Sequence, residues 1–326
     1  MTHRRIAFAA AALTVAISLA WLSGARAQDP PSAPTGLRIA GDAATATATT
    51  RAVSVDTVAW ERTNGTTLDM GPFTLAWSDE FDSRRILAGD QSGSTLWYAG
   101  AQGGPYGAAA VGYSPRDDVY LVSNGILTIR AHAYTNPNGT RTGGWYSGHL
   151  QTVNTKGEGF AIQEGYFEAR MKFPSSLGAW PAFWLKPRVK WLDPKATNLE
   201  LDILEWYGGD WAGAHHTVHL GLDSARRYWS DYENVKDAAG RAVDLSKDWH
   251  TYGALLTKDW FIVYLDRVEI GRFPLLKVFR TPFYPQLTLS ILKDPLTGVV
   301  SPKADSPMDL QVDYVRVYKR RLAVPR

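Results

Sequence analysis

The chain has 326 residues, is 45% hydrophobic and 21% charged, and holds 29 Gly and 18 Pro, a composition that excludes disorder, collagen and coiled coil. Lys and Arg number 35 against 32 Asp and Glu, and three of the cations, Arg4, Arg5 and Arg26, stand in the first 27 residues, where there is no acid. The remainder is formally neutral despite a pI near 8.9, so no basic surplus is left for a row of phosphates and nucleic acid is not an expected partner.

From the N-terminus, Met1-Thr-His-Arg-Arg5 precedes an apolar run from Ile6 to Leu22, and then comes Ser23-Gly-Ala-Arg-Ala27. This order predicts a secretory signal over 1–27, cleaved after Ala27. The alternative is an uncleaved anchor, because a run of 17 residues is long for the apolar part of a signal. The expected location is secreted or periplasmic, with no membrane contact after cleavage and no export route assigned. Residues 28–70 are Pro-rich and then Ala/Thr-rich, the composition of a linker or N-terminal extension. There is no cysteine, which removes disulfides and thiol chemistry and leaves stability to the apolar core.

Over 71–320 the texture changes to short alternating runs broken by Gly, Pro, Asn and Asp, which predicts a single all-β domain, followed by a tail over 321–326. Gly165-Tyr-Phe-Glu-Ala-Arg-Met-Lys-Phe173 places Phe167, Ala169, Met171 and Phe173 on one face and Tyr166, Glu168, Arg170 and Lys172 on the other. Trp260–Leu265, Pro285–Ile291 and Leu310–Tyr318 repeat the pattern. The 13 Trp, 15 Tyr and 11 Phe are more aromatic surface than a core needs, which fits a face that stacks flat sugar rings.

Asn198-Leu-Glu-Leu-Asp-Ile-Leu-Glu-Trp-Tyr207 sets three carboxylates in an otherwise apolar run. In a regular strand Glu200 and Asp202 share a face, while Glu205 has the wrong parity. One extra residue at Ile203-Leu204, a β-bulge, returns Glu205 to that face and sends both aliphatics inward. Two carboxylates across a gap suit glycosidic cleavage, and a third between them can keep their titrations apart. A solvated acidic face and a calcium cage remain open on these residues alone.

Together with Gly165–Lys172 upstream and Trp180-Pro-Ala-Phe-Trp-Leu185, the motif Glu200-x-Asp-x-x-Glu205 resembles glycoside hydrolase family 16, in particular its laminarinase-like, endo-β-1,3-glucanase branch. The likeness runs from Trp77-Ser-Asp-Glu-Phe-Asp82 to Val312–Tyr318, in the family's order. It implies a β-jelly-roll sandwich of two antiparallel sheets with a concave cleft, and a retaining mechanism. Glu200 is then the nucleophile, Glu205 the general acid/base and Asp202 their helper. Trp180 and Trp184 would form a stacking floor, with two core indoles as the plainer reading. Glu168 and Arg170 lie on a strand that the family places in the cleft, where they would bind substrate, although a solvated face explains them equally well. In His215-His-Thr-Val-His219, strand alternation argues against a metal, and His219 matches a family histidine beside the catalytic strand. His216 stands where the family has Gly, which predicts extra bulk at the cleft.

No catalytic cofactor is implied. A structural calcium is, with Asp313 and the backbone near Glu80 and Gly125 at the matching positions. The expected activity is endo-hydrolysis of β-1,3 or β-1,3/1,4-glucan through a covalent glycosyl-enzyme, by a monomer whose partner is the polysaccharide. The alternatives are the same chemistry on an exopolysaccharide or galactan, transglycosylation, and a carbohydrate-binding jelly roll without catalysis.

Overall fold

Alternation decides the strands. In Gly165–Lys172, Phe167, Ala169 and Met171 are fully buried in the main core, and Arg170 and Lys172, of opposite parity, are half-buried. The computed structural model describes residues 65–88, 93–99, 111–222, 225–237, 239–293, 301 and 303–321. The expected signal over 1–27, most of the 28–70 extension and residues 322–326 lie outside the described residues.

The described strands are, in order, β1 (Phe73–Asp79), β2 (Ile86–Leu87), β3 (Trp97–Ala99), β4 (Val111–Tyr113), β5 (Tyr120–Ser123) and β6 (Ile126–Thr135). Next come β7 (Arg141–Ser147), β8 (His149–Gln151), β9 (Gly165–Lys172), β10 (Ala179–Pro187), β11 (Asn198–Glu205) and β12 (Gly213–Leu222). The last six are β13 (Ala225–Asn234), β14 (His250–Leu256), β15 (Trp260–Leu265), β16 (Val268–Pro274), β17 (Phe283–Ile291) and β18 (Met308–Arg320). A short helix, α1 (Val189–Leu192), follows β10. No helix among the described residues is long and apolar enough to cross a membrane.

Two sheets result. The first orders β16-β15-β14-β9-β18-β6-β7-β4, with β1 on β18 and β5 on β6; the second orders β13-β12-β11-β10-β17-β8-β3-β2. Pairing among the described residues is antiparallel apart from two short marginal pairs, β2 with β3 and β4 with β7, so the sheets are mixed at their edges. Between the sheets lies one core, in which Phe167 and Val315 of the first face Phe183, Leu201 and Leu287 of the second.

A second apolar cluster lies on the outer face of the first sheet, where Tyr166, Leu255, Ile262 and Tyr264 meet Phe73, with Leu68 and Met70 packed against them. This corrects the extent of the linker. Residues 66–68 join the edge of β16, with Leu68 N–H donating to Arg267 O at 2.8 Å and Glu269 N–H to Thr66 O at 2.9 Å. The apolar patch needs a cover, and Leu68 and Met70 supply it.

The same outer face corrects two site assignments. Glu168 is fully buried, on the far side of the sandwich from β11, and takes a bidentate pair from Arg267 (Nε at 2.7 Å, Nη2 at 2.8 Å) with hydrogen bonds from Tyr166 and Tyr314. Arg170 is held by Asp313 at 2.6 Å and lies over the Trp249 ring. Neither can reach a substrate on the second sheet. Both are parts of the scaffold, since a buried carboxylate must be paired and fully hydrogen-bonded. The Asp266-Arg267 turn has φ of 49° and 62°, left-handed values that ordinarily favour glycine. Arg267 tolerates this because its guanidinium is anchored on Glu168, and Asp266 because its carboxylate accepts from Thr251 N–H at 2.7 Å and His250 Nδ1–H at 2.8 Å.

Candidate active site

The open face of the second sheet is set by the parity of five adjacent strands. On β11, Leu199 and Leu201 point into the core and Glu200 and Asp202 point out. Pairing with β12 then slips by one residue: Asp202 lies opposite Thr217 and Glu205 opposite His215, so three steps on β11 match two on β12. The bulge falls at Ile203-Leu204, as the sequence predicts, and both aliphatics are fully buried. Glu205 thereby joins Glu200 and Asp202.

The register carries the face across the sheet. Asp202 pairs with Trp184 of β10, Trp184 with Gln286 of β17, and Gln286 with Gln151 of β8. One row over, Glu205 pairs with Ala182, Ala182 with Thr288, and Thr288 with His149. Ala182 is the small residue beside Glu205, and this leaves room above the sheet where a larger side chain would fill it.

Each acid has a distinct environment. Glu200 Oε2 accepts from Lys186 Nζ at 2.7 Å, and its Oε1 lies 3.3 Å from His219 Nε2. Asp202 is 3% exposed and its Oδ2 lies 2.9 Å from the same His219 nitrogen. Burial, then the charge of Glu200, raises the pKa of Asp202. Glu205 Oε1 accepts from the Trp180 indole N–H at 3.0 Å. Burial, and after it the charge of Asp202, pushes Glu205 up to about 8, so at neutral pH it carries a proton.

Trp180 and Trp184 share the open face with Ala182, but neither is a bare floor. Trp180 is half-buried, holds Glu205 and tilts against Tyr207 with ring centroids 5.5 Å apart. Trp184 is 5% exposed and stacks on His149 at 5.7 Å.

His216 is a further correction. It has the inward parity of Ala214 and Val218, is 2% exposed, and donates from Nδ1 to the Ile203 carbonyl at 2.6 Å. It adds no bulk to the cleft. It braces the bulge from beneath, and its burial lowers its pKa to about 4, which keeps it neutral. Replacing it by Phe, which keeps volume and removes the donor, is expected to cost about 1–3 kcal/mol of stability. The same variant should lower kcat more than it raises KM, as denaturant melts and steady-state kinetics would show; an unchanged kcat would mean that the bulge holds without it.

Sequence reasoning missed Lys186, which follows Trp180, Ala182 and Trp184 at the same parity and could have been found by extending that count. It also missed Tyr207, two residues beyond Glu205 in the chain, and His149, Gln151 and Gln286, which register alone brings to the site.

The model of the family described as glycosyl hydrolases family 16 matches residues 126–315, more than half of the chain. The chain belongs to glycosyl hydrolase family 16. Among its relatives, the endo-1,3-1,4-beta-glycanases EglC and ExsH of Rhizobium meliloti (strain 1021) are each 28% identical, over 77% of this chain and 53% of their own. The chain thus spans about half the length of these curated relatives. The laminarinase catalytic domain of Thermotoga maritima MSB8 superposes with a TM-score of 0.59 at 23% identity, over 77% of this chain and 99% of that domain, which shows the shared jelly-roll fold.

Against that family background, the side-chain ligand of the expected calcium, Asp313, is already engaged by an arginine. Asp313 is paired with Arg170 at 2.6 Å, and Glu80 takes a bidentate pair from Arg316 (Nε at 3.0 Å, Nη2 at 2.6 Å), whose hydrogen bonds lower the Glu80 pKa. Gly125, with φ of 73°, lies beside the Glu80 carbonyl, so the two expected backbone positions are neighbours. The Arg170 guanidinium already supplies Asp313 with the positive charge that an ion would bring. The melting temperature should therefore be the same in EDTA and in millimolar calcium; a rise with calcium would restore the metal site.

Proposed function

We propose that this family 16 chain is an endo-acting, retaining β-glycanase that hydrolyses β-1,3 or mixed β-1,3/1,4-glucan through a covalent glycosyl-enzyme. The observation that carries the reading is the bulge in β11, which puts a protonated Glu205 and a charge-paired Glu200 on one open face. Glu205 gives its proton to the glycosidic oxygen while a Glu200 oxygen attacks the anomeric carbon, and the bond to the leaving sugar breaks. Glu205, now ionised, takes a proton from water, which attacks the same carbon and releases Glu200. Asp202 and His219 position Glu200: the His219 nitrogen lies between an oxygen of each carboxylate. Asp202 also adds to the negative charge that keeps Glu205 protonated. No step calls for a cofactor.

The glucan backbone is supported by the names of the R. meliloti relatives, and an extracellular substrate agrees with export by segment 1–27 ahead of a catalytic unit over 71–320. The test is reducing-end release from laminarin, barley mixed-linkage glucan, agarose and xyloglucan, with product length followed by chromatography. Oligosaccharides should appear early from one or both glucans, with the β-anomer formed first by NMR. A folded protein that is inert on both glucans, or that forms the α-anomer first, would overturn the reading.

A further inference from the structure

Beside Glu200 the open face holds a cavity of about 180 Å³, lined by residues that include Lys186, Lys190, Gln151, His149 and Trp184. Its polar groups are unusual for a site that meets only neutral sugar. Two ammonium groups line it, and among the described lining residues there is no carboxylate. Lys186 is paired with Glu200 and Asn198 Oδ1, at 2.7 and 3.1 Å. Lys190 donates to the carbonyls of Pro194 and Ala196, the latter at 2.8 Å, and forms no ion pair among the described residues. Each lysine carries three N–H groups, so each keeps one to offer, and the charge of Lys190 is uncompensated.

Two further atoms point the same way. Gln151 is 1% exposed and its Nε2 has no partner; His149 is 2% exposed and its Nδ1 has none. His149 Nε2 donates to Gln286 Oε1 at 2.5 Å, which makes Nδ1 an acceptor. Burial lowers its pKa to about 4, so it stays neutral and takes no share in the positive charge. A buried polar group without a partner is costly unless a ligand completes it. The pocket therefore presents two charged donors, with one unpartnered donor and one unpartnered acceptor buried in its wall, a pattern that fits a sugar unit bearing an oxyanion.

We propose that this pocket is a subsite for an acidic sugar, in which Lys190 and the spare N–H of Lys186 bind a carboxylate or sulfate oxygen of the glycan. The proposal rests on the glycanase reading and narrows its substrate to a charged β-glycan. Binding of the anion also shares Lys186 between substrate and Glu200, which loosens the hold of the ammonium on the attacking oxygen.

The test compares kcat/KM on barley mixed-linkage glucan with two derivatives of the same polymer, one partly oxidised at C6 to carboxylate and one partly sulfated. The wild-type protein should prefer at least one charged polymer by about tenfold, the worth of one charge-assisted hydrogen bond, and added salt should erode the preference. Lys190→Met should remove the preference and Lys190→Arg restore it, with melting curves to show that both variants fold. Preference for the carboxylated polymer alone assigns a uronate-type acid, and preference for the sulfated one alone a sulfate ester. Equal rates on neutral and charged polymers, or a preference that Lys190→Met leaves intact, would overturn the acidic subsite while hydrolysis stands. If no polymer is cut, the hydrolase reading fails, and calorimetric titration with a glucuronate-bearing oligosaccharide still decides the pocket: heat that Lys190→Met abolishes supports it, and no heat from the wild-type protein ends it.

Discussion

Glu200→Gln is expected to lower kcat on β-glucan by at least about 10⁴-fold, roughly 5 kcal/mol of barrier, because an amide cannot form the glycosyl ester. Gln keeps the shape, and it can still meet Lys186 and His219 through its oxygen, so the melting temperature should move little. A second readout separates loss of the nucleophile from loss of alignment. In Glu200→Gly the vacated face admits azide, which should restore turnover and yield an α-glycosyl azide, the anomer opposite to that of the substrate. In Glu205→Ala azide can enter only after the ester has formed, and it should yield the β-azide with an activated aryl glycoside. A folded Glu200→Gln protein with more than about 1% of wild-type kcat would remove Glu200 from the nucleophile's role.

The second large effect is on the alkaline side of the pH profile. Glu205 acts as an acid only while protonated, and burial pushes its pKa up to about 8, so kcat/KM should be lost as pH rises through that value. Glu205→Gln should abolish this limb and lower kcat on polymer by about 10²–10⁴-fold. Much less should be lost on an aryl glycoside whose leaving group needs no proton. The same shift has a sign in stability. A carboxyl whose folded pKa is raised favours the folded state below its ordinary range, near 4.5, and that advantage is lost as pH rises toward about 8. Glu205→Gln, which cannot ionise, should therefore gain in melting temperature relative to wild type at pH 9 more than at pH 5. A falling limb well below pH 7, or one that survives in Glu205→Gln, would assign the acid elsewhere.

Alternation along a chain is a one-dimensional signal, and it was enough to find strands, the inward face of each, and the fault at Ile203-Leu204 that returns Glu205 to the side of Glu200 and Asp202. It also put Trp180 and Trp184 on one face of their own strand and His219 on the face opposite Val218 and Leu220, and extending the same count would have reached Lys186. What alternation lacks is the identity of a strand's neighbours. Glu168 and Arg170 have the parity of a cleft face, yet β9 pairs with β14 and β18 in the other sheet, and their side chains brace Arg267 and Asp313. His216 carries a polar side chain on an inward position, and only the carbonyl that the bulge turns toward it explains why a core tolerates it.

The sequence by itself determined the strands, the bulge and the three acids, because these depend on near neighbours and on parity. Only the tertiary structure decided which sheet each face belongs to, that Arg170 holds the Asp313 expected on a calcium, and that His149, Gln151 and Lys190 gather beside Glu200 from segments far apart in the chain. Those depend on sheet order and register, and pairing between distant strands is set by how the whole core packs rather than by any local run of residues.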